Sequence, residues 1–167
     1  LEPHIEQGPI LEAAGDTIGV VTGVQGIRWY DVTIRGQESH AGTTPMDRRT
    51  DAMVSAARLI AAADDIARSR DPDGRSTAGV LTSEPGSRNT VAGHVYLTID
   101  LRHPDAVELG RMHDELLGTA AELDPAPTVE QIWYSPPITF DEAIVEAVRE
   151  GAVDAGFEPS DITSGAG

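Results

Sequence analysis

The sequence contains no cysteine and no lysine. Without cysteine the chain has no disulfide framework, no thiolate nucleophile and no thiolate ligand, so any metal ion must be held by His, Asp or Glu. Long apolar runs are also missing: none approaches the roughly 18 residues that span a bilayer, and no signal-peptide pattern opens the chain. We therefore expect a soluble, cytoplasmic protein.

Basic residues are scarce as well. The sequence has 12 Lys and Arg residues against 28 Asp and Glu residues, which gives a formal net charge of -16. Such a charge repels phosphate backbones and anionic lipid surfaces, so we expect no nucleic-acid or membrane partner. At 167 residues the chain is long enough to bury one good core. It opens at Leu1 without a methionine, and we interpret it as an excerpt from a longer protein.

Periodicity predicts the secondary structure of the central part. Alternation is clearest at 94–102, where Val95, Leu97, Ile99 and Leu101 share one face. Elsewhere, apolar residues recur at three- and four-residue steps, which is typical of a helix with one buried stripe. The predicted elements are strands at 18–35, 77–84, 94–102 and 128–134, and helices at 47–70 and 104–123.

This β-α-β-β-α-β order is typical of a ferredoxin-like sandwich, an α+β fold in which a four-stranded antiparallel sheet carries two helices on one face. We assign it to residues 18–135 and treat residues 1–17 and 136–167 as separate flanking segments. In the flanks we predict a short strand at 1–7 with His4 and Glu6 on one face, a helical turn at 9–14, a helix at 141–155 with Ile144, Val145 and Val148 facing inward, and the approach to a strand at 157–162.

Residues 36–52 (GQESHAGTTPMDRRTDA) carry a single histidine, His40, on a short loop between a strand and a helix. Loops on a rigid scaffold commonly carry binding and catalytic side chains. The alternative is structural: Thr43, Thr44 or Asp47 would cap the helix, and His40 would be an ordinary turn residue. The residues alone leave both interpretations open.

Four segments resemble one known family, in the same order along the chain. They are LEPHIEQGP at 1–9, the stretch 36–52 with its HAGTTPM core, PGSRNTV at 85–91 and DLRHPD at 100–105. All four are similar to motifs of the M20-type metal-dependent amidohydrolases, in the branch of N-carbamoyl-L-amino-acid hydrolases, beta-ureidopropionases and allantoate amidohydrolases. The final TSGAG at 163–167 resembles the start of the family's SGAGHDA motif.

The resemblance implies an architecture and a cofactor. Residues 18–135 would be a lid or dimerisation domain, through which two copies form a homodimer. The flanks would be pieces of an α/β catalytic domain that holds two divalent metal ions, zinc or else manganese, cobalt or nickel. The glutamate general base would lie upstream of Leu1 and a further histidine would follow Gly167. We therefore expect the 167-residue chain alone to be inactive and to bind no metal stably.

The resemblance also implies roles for five residues. His4 would be a metal ligand, and His40 a catalytic residue that stabilises the oxyanion in the active site of the partner subunit. Gln7, Asn89 and Arg102 would bind the substrate, a small anion with a carbamoyl or ureido group. Asn89 and Arg102 are expected to converge on its carboxylate, because an amide and a guanidinium fork together match its oxygens.

The implied activity is metal-dependent hydrolysis of a linear amide or ureido C–N bond in an N-carbamoyl amino acid or an allantoate-like substrate. One alternative keeps the family but changes the substrate to an N-acyl amino acid or a peptide. Another is a non-catalytic dimerisation module, since the upstream ligands and general base are missing. For Arg102, the residues alone also permit an ion pair with Asp100 or Asp105 on a solvated sheet face.

Several polar residues near these candidates are expected to be structural. They are Arg48, Arg49 and Asp51, which would order the loop and the helix start, His94 on the polar sheet face, His103 at a strand-to-helix junction, and His113 exposed on the second helix.

Overall fold

The computed structural model describes residues 2–165, which form a mixed α+β structure. None of the helices in this range is long and apolar enough to cross a membrane. The helices are α1 (Ile10–Ala14), α2 (Ala52–Arg68), α3 (Ala106–Glu122) and α4 (Glu142–Asp154). The strands are β1 (Gly19–Val24), β2 (Gly26–Arg35), β3 (Ser39–His40), β4 (Arg75–Thr77), β5 (Leu81–Glu84), β6 (Thr90–Val91), β7 (His94–His103), β8 (Thr128–Ser135), β9 (Ile138–Thr139) and β10 (Ser160–Ser164).

The central sheet has the strand order β4-β7-β2-β8, and β5 pairs with β7 on the same side as β4. All of these pairings are antiparallel. The predicted alternation along β7 is confirmed, since Val95, Leu97, Ile99 and Leu101 are at most 1% exposed while their neighbours in sequence are mostly half-buried. The buried face of the sheet packs against α2 and α3, and the core lies between these two layers.

Helix α2 begins later than its apolar pattern suggests. The pattern predicts a helix from residue 47, but Met46–Arg48 form a single 3-10 turn and α2 starts at Ala52. The Asp51 carboxylate accepts hydrogen bonds from the backbone N–H groups of Met53 (3.0 Å) and Val54 (3.3 Å). This cap satisfies two of the free donors at the helix start and fixes where the helix begins. The predicted stripe is buried at Ala52, Ala56, Leu59 and Ala63.

Helix α3 packs beside α2 and has the same kind of start. The Asp105 carboxylate accepts hydrogen bonds from the N–H groups of Val107 (2.7 Å) and Glu108 (2.9 Å). These two bonds hold the pKa of Asp105 below its ordinary value, because they stabilise the charged form. The predicted apolar stripe of this helix is confirmed at Leu109, Met112, Leu116 and Ala120.

The run predicted as one strand at 18–35 forms two strands in two sheets. β1 pairs in parallel with β10 and antiparallel with β9, whereas β2 belongs to the central sheet. The change of sheet falls at Gln25, whose N–H donates to the carbonyl of Ser164 (3.0 Å). At Gly23 a Cβ atom would lie 2.4 Å from the carbonyl oxygen of Ile138, so the approach of β9 requires glycine. The second predicted strand, 77–84, is likewise interrupted between β4 and β5.

The N-terminal segment is not the predicted strand. Residues 2–7 pair with no other strand of the described chain. The Glu6 carboxylate instead accepts hydrogen bonds from the N–H groups of Ile10 (2.8 Å) and Leu11 (2.9 Å) and so caps α1. Gly15 ends this helix with φ 78°, as its position predicts.

Helix α4 begins at a capping residue, Asp141, but lacks the predicted burial. The Asp141 carboxylate accepts from the N–H groups of Ala143 (3.0 Å) and Ile144 (3.2 Å). Ile144 is 62% exposed and Val145 and Val148 are half-buried, so the inward face that the pattern predicts is not covered within residues 2–165.

Candidate active site

His40 is presented on a short, well-bonded loop, which we call the His40 loop (residues 40–44). β3 pairs with β6 at its start, and the N–H of Thr44 donates to the His40 carbonyl at 3.1 Å. The N–H of Gly42 donates to His40 Nδ1 at 3.1 Å. Because Nδ1 accepts a hydrogen bond, the neutral ring carries its proton on Nε2. The exposed imidazole therefore offers Nε2–H as a donor.

Arg49 stabilises the His40 loop through hydrogen bonds to two of its backbone carbonyls. Its Nη2 donates to the carbonyl of Ala41 at 2.7 Å and its Nε to the carbonyl of Thr44 at 3.1 Å. The prediction that Arg49 and Asp51 order the loop and the helix start is confirmed by these bonds and by the cap on α2. Arg48 differs, since its side chain is 78% exposed and only a 3.8 Å contact joins it to Asp47.

Asn89 lies beside His40. The N–H of Ala41 donates to the Asn89 carbonyl at 2.9 Å, and the next residue, Thr90, pairs with His40. The Asn89 side chain is exposed, and its Oδ1 accepts from the Ser87 hydroxyl at 2.6 Å. The side-chain NH₂ group thus remains as a donor next to the His40 loop.

Arg102 lies at the other end of the central sheet. β7 pairs with β5 at its His94 end, which leads to Asn89 and the His40 loop, and with β4 at its Arg102 end. Eight residues of strand separate the two ends, which is about 26 Å at 3.3 Å per residue. Contrary to the expectation, Asn89 and Arg102 of one chain do not converge on a single carboxylate.

The structural alternative for Arg102 is present in this chain. Its Nε and Nη2 donate to the Asp100 carboxylate at 2.7–3.1 Å, and both side chains are about a quarter exposed. The other potential partner, Asp105, caps α3 instead. Nη1 of Arg102 donates to the carbonyl of Gly165 at 2.6 Å. Arg102 therefore contacts the C-terminal flank directly.

The N-terminal candidates, His4 and Gln7, are both exposed. His4 Nδ1 lies 2.7 Å from the carbonyl oxygen of Ile5, so Nδ1 carries the proton and the lone pair is on Nε2. Within residues 2–165 no group of three or more His, Cys, Asp or Glu side chains could hold a metal ion. Gln7 has φ 55°, a left-handed conformation that is uncommon for a residue other than glycine.

His113 is half-buried, which corrects the expectation that it is exposed. Its Nδ1 lies 2.9 Å from the Tyr30 hydroxyl, and the two rings stack with centroids 5.7 Å apart. Burial raises the pKa of Tyr30 to about 12 and lowers the pKa of His113. Position 113 lies one turn beyond Leu109 on the buried stripe, and this spacing is the signal that could have revealed the contact.

The other two histidines agree with their structural interpretations. His94 is half-buried at the start of β7. His103 is 6% exposed, and its Nδ1 accepts from the N–H of Asp105 at 2.9 Å, at the junction between β7 and α3.

The fold and the motifs agree with one family. The profile of the peptidase dimerisation domain of the M20 family matches residues 22–126. This match covers most of the chain, and the chain belongs to that family.

Three similar proteins narrow the comparison. The chain is 38% identical to an N-carbamoyl-L-amino-acid amidohydrolase of Rhizobium meliloti over 99% of its own length and 41% of that protein. It is 35% identical to the allantoate amidohydrolase of Bacillus subtilis strain 168 over 100% of its length and 42% of that protein. A crystal structure of a hydantoinase/carbamoylase family amidase from Burkholderia multivorans matches 98% of this chain with a TM-score of 0.93 and 48% identity. The chain covers 41% of that structure, so it spans about two fifths of the length of these relatives.

Proposed function

We propose that this chain supplies the lid and part of the catalytic domain of a metal-dependent amidohydrolase, which cleaves a carbamoyl or ureido C–N bond in a small anionic substrate. The observation that carries the proposal is the His40 loop, which holds an exposed imidazole with Nε2–H available next to Asn89. Relatives named for N-carbamoyl amino acids and for allantoate support this substrate class.

His40 would act as a hydrogen-bond donor. With its proton on Nε2, the neutral ring has no lone pair there and cannot take a proton from water, but it can donate to the oxyanion that develops during C–N cleavage. The Asn89 amide would add a directional donor at the same end of the lid. A preoriented donor of this kind typically contributes about 100- to 1000-fold to kcat.

Arg102 would bind the substrate's carboxylate. Asp100 holds two of its guanidinium nitrogens, so Nη1, which donates to Gly165, is the group that a substrate oxygen would engage. The Asp100 pair fixes the plane of the guanidinium, which reduces the rotamer entropy lost on binding. Gln7 would contact the substrate as well, and its left-handed backbone supports this because strained residues are common at binding sites.

The separation of the two groups favours a homodimer in which each active site combines both chains. His40 and Asn89 would complete the site of the partner subunit, while Arg102 would serve the site of its own chain. Within residues 2–165 the outer edge of β5 pairs with no other strand, and Leu81 and the preceding Val80 are 43% and 46% exposed, so this edge is a suitable surface for association. An unpaired strand edge offers free backbone N–H and C=O groups to another strand.

His4 fits the role of a metal ligand. Its Nε2 lone pair is free for coordination while Nδ1 is oriented by a carbonyl, the arrangement common to metal-bound histidines. About three protein ligands are normal for a catalytic zinc site, so the remaining ligands would come from the rest of the protein. Two divalent ions, zinc or manganese, cobalt or nickel, would polarise the carbonyl and lower the pKa of water.

For the architecture, we infer a ferredoxin-like lid between flanks at 1–17 and 136–167. The strand order β8-β2-β7-β4, with both long helices on one face, supports the ferredoxin-like arrangement. The pairing of β1 with β9 and β10 favours a junction near Gln25, inside the boundary of 18 that the sequence pattern suggests. A cytoplasmic location stays a prediction.

Turnover by the complete protein tests the proposal. We expect hydrolysis of N-carbamoyl amino acids or allantoate that a chelator abolishes and zinc, manganese, cobalt or nickel restores. His40→Ala should lower kcat about 100-fold, because it removes one oxyanion donor, whereas the control His94→Ala should change kcat little. Equal activity of the two variants, or no turnover of either substrate by the metal-loaded protein, would overturn the proposal.

The same experiment separates the alternatives. Turnover of N-acyl amino acids or peptides in place of carbamoyl substrates would indicate the related hydrolases. For the 167-residue chain studied alone, tight stoichiometric metal binding would contradict a purely non-catalytic dimerisation module.

A further inference from the structure

The guanidinium of Arg49 is joined to the His40 loop through two carbonyl groups. It donates to Ala41 at 2.7 Å and to Thr44 at 3.1 Å, which are the carbonyls on either side of Gly42 and Thr43. The N–H of Gly42, between these anchors, is the group that donates to His40 Nδ1. One side chain thus fixes the peptide segment on which the orientation of the imidazole depends.

The charge of Arg49 is not neutralised within the described chain. Among residues 2–165 no carboxylate lies within 4.0 Å of its guanidinium, although acidic residues outnumber basic ones by 28 to 12 in the sequence. The side chain is also half-buried, so solvent screens its charge incompletely.

We propose that Arg49 is a positioning residue for His40: it holds the loop in the form in which the Gly42 N–H occupies Nδ1, so that the imidazole presents Nε2–H. This inference rests on the proposed function for its catalytic consequence. It adds that the donor character of His40 is set by the loop backbone and that Arg49, although adjacent in sequence to the solvated Arg48, is required for it.

The contacts of the His40 loop explain why position 49 is arginine and position 42 is glycine. Lysine has one nitrogen and cannot reach two carbonyls with a planar fork, so it would keep the charge but release one anchor. At position 42 a Cβ atom would lie 3.2 Å from His40 Cε1 and 3.5 Å from Nδ1. Any side chain there would push against the ring, and Gly42→Ala is therefore a second, independent probe of the same contact.

The test uses Arg49→Lys in the complete protein, with Arg48→Lys as the matched control. Arg49→Lys should lower kcat, by no more than the roughly 100-fold expected for His40→Ala because it acts only through His40, and should leave KM nearly unchanged. Arg48→Lys should leave both constants unchanged. In a His40→Ala background, Arg49→Lys should have little additional effect, because the residue through which it acts is absent.

A second readout follows the tautomer directly. Nitrogen-15 spectra of labelled histidine should report the Nε2–H form of His40 in the wild type and in Arg48→Lys, and a mixture of tautomers in Arg49→Lys and Gly42→Ala. Full additivity of Arg49→Lys with His40→Ala, or an unchanged tautomer in Arg49→Lys, would overturn the proposal. A wild-type protein without turnover would refute the proposed function alone, since the spectra still decide whether Arg49 controls the imidazole.

Discussion

The distance between the two ends of the central sheet leads to a quantitative prediction about mixed dimers. The His94 end of β7, which leads to the His40 loop, lies about 26 Å from Arg102, far more than the length of a carbamoyl amino acid, so one chain cannot bring His40 and Arg102 to one substrate. If each site takes His40 from one subunit and Arg102 from the other, then His40→Ala and Arg102→Ala damage different halves of the site.

Co-expression of the two variants tests this arrangement. Random association gives half heterodimers, and in each of these one site carries both substitutions while the other carries neither. About one quarter of all sites should therefore be intact, and a mixture of two nearly inactive proteins should regain about one quarter of wild-type turnover. Turnover per site of the unfractionated mixture is the assay, and heterodimers purified through two different tags should reach about one half of wild-type turnover.

A mixture that regains no activity would refute the shared site. If both residues acted within one chain, every site in the mixture would carry one substitution and no activity would return. A reciprocal mixture strengthens the comparison: wild-type chains mixed with a His40→Ala/Arg102→Ala double variant should keep about one quarter of the activity if sites are shared, and about one half if they are not.

Two further predictions concern stability. Leu97→Ala removes a side chain that is 0% exposed and should lower the free energy of unfolding by about 2–5 kcal/mol in urea titrations, whereas Leu117→Ala, at a site 38% exposed, should change it by no more than about 1 kcal/mol. Because burial raises the pKa of Tyr30 from 10.0 to about 12, the folded state holds this proton more tightly than the unfolded chain, and the stability this contributes is lost as pH rises from 10 towards 12. Tyr30→Phe should flatten this part of the pH profile, and an unchanged slope would contradict the assignment.

The periodicity of the sequence predicted the parts of the fold that depend on interactions between residues close in sequence. The buried alternation of β7 and the stripe of α3 follow from periods of 2 and 3.6 residues, because each element buries one continuous face. The Asp141 cap is likewise short-range, since a carboxylate satisfies N–H groups two and three residues further on, whereas α2 is capped by Asp51 and not by Thr43, Thr44 or Asp47.

Other features depend on partners that are distant in sequence. Gly23 and Gly26 indicate a bend within 18–35, but the division of this run between two sheets depends on β10, whose Ser164 accepts from Gln25. The exposed face of α4 shows the same limit, because the spacing predicts an apolar side but not what covers it.

The site illustrates a third kind of limit. The motifs that carry Asn89 and Arg102 lie 13 residues apart in sequence, which suggests proximity, but a ten-residue strand between them sends the two side chains to opposite ends of the sheet. Recognising a motif identified the residues, whereas strand length and register determined which of them can act together. The contact of His113 with Tyr30 depends on register in the same way.

The segment from β2 to β8 forms the central sheet and its two helices, and the start and end of this segment are neighbours, since Ile27 pairs with Ser135. This has a consequence for the order of folding. β1 and β10 pair across a long intervening stretch, from Gly19 to Ser160, and the entropy lost in closing so long an unfolded loop opposes that pairing. Once the segment from β2 to β8 has folded, its ends are only about 5 Å apart. Pairing β1 with β10 then costs about as little entropy as closing a short turn. The flanking sheet is therefore expected to assemble last, on a platform that has already folded.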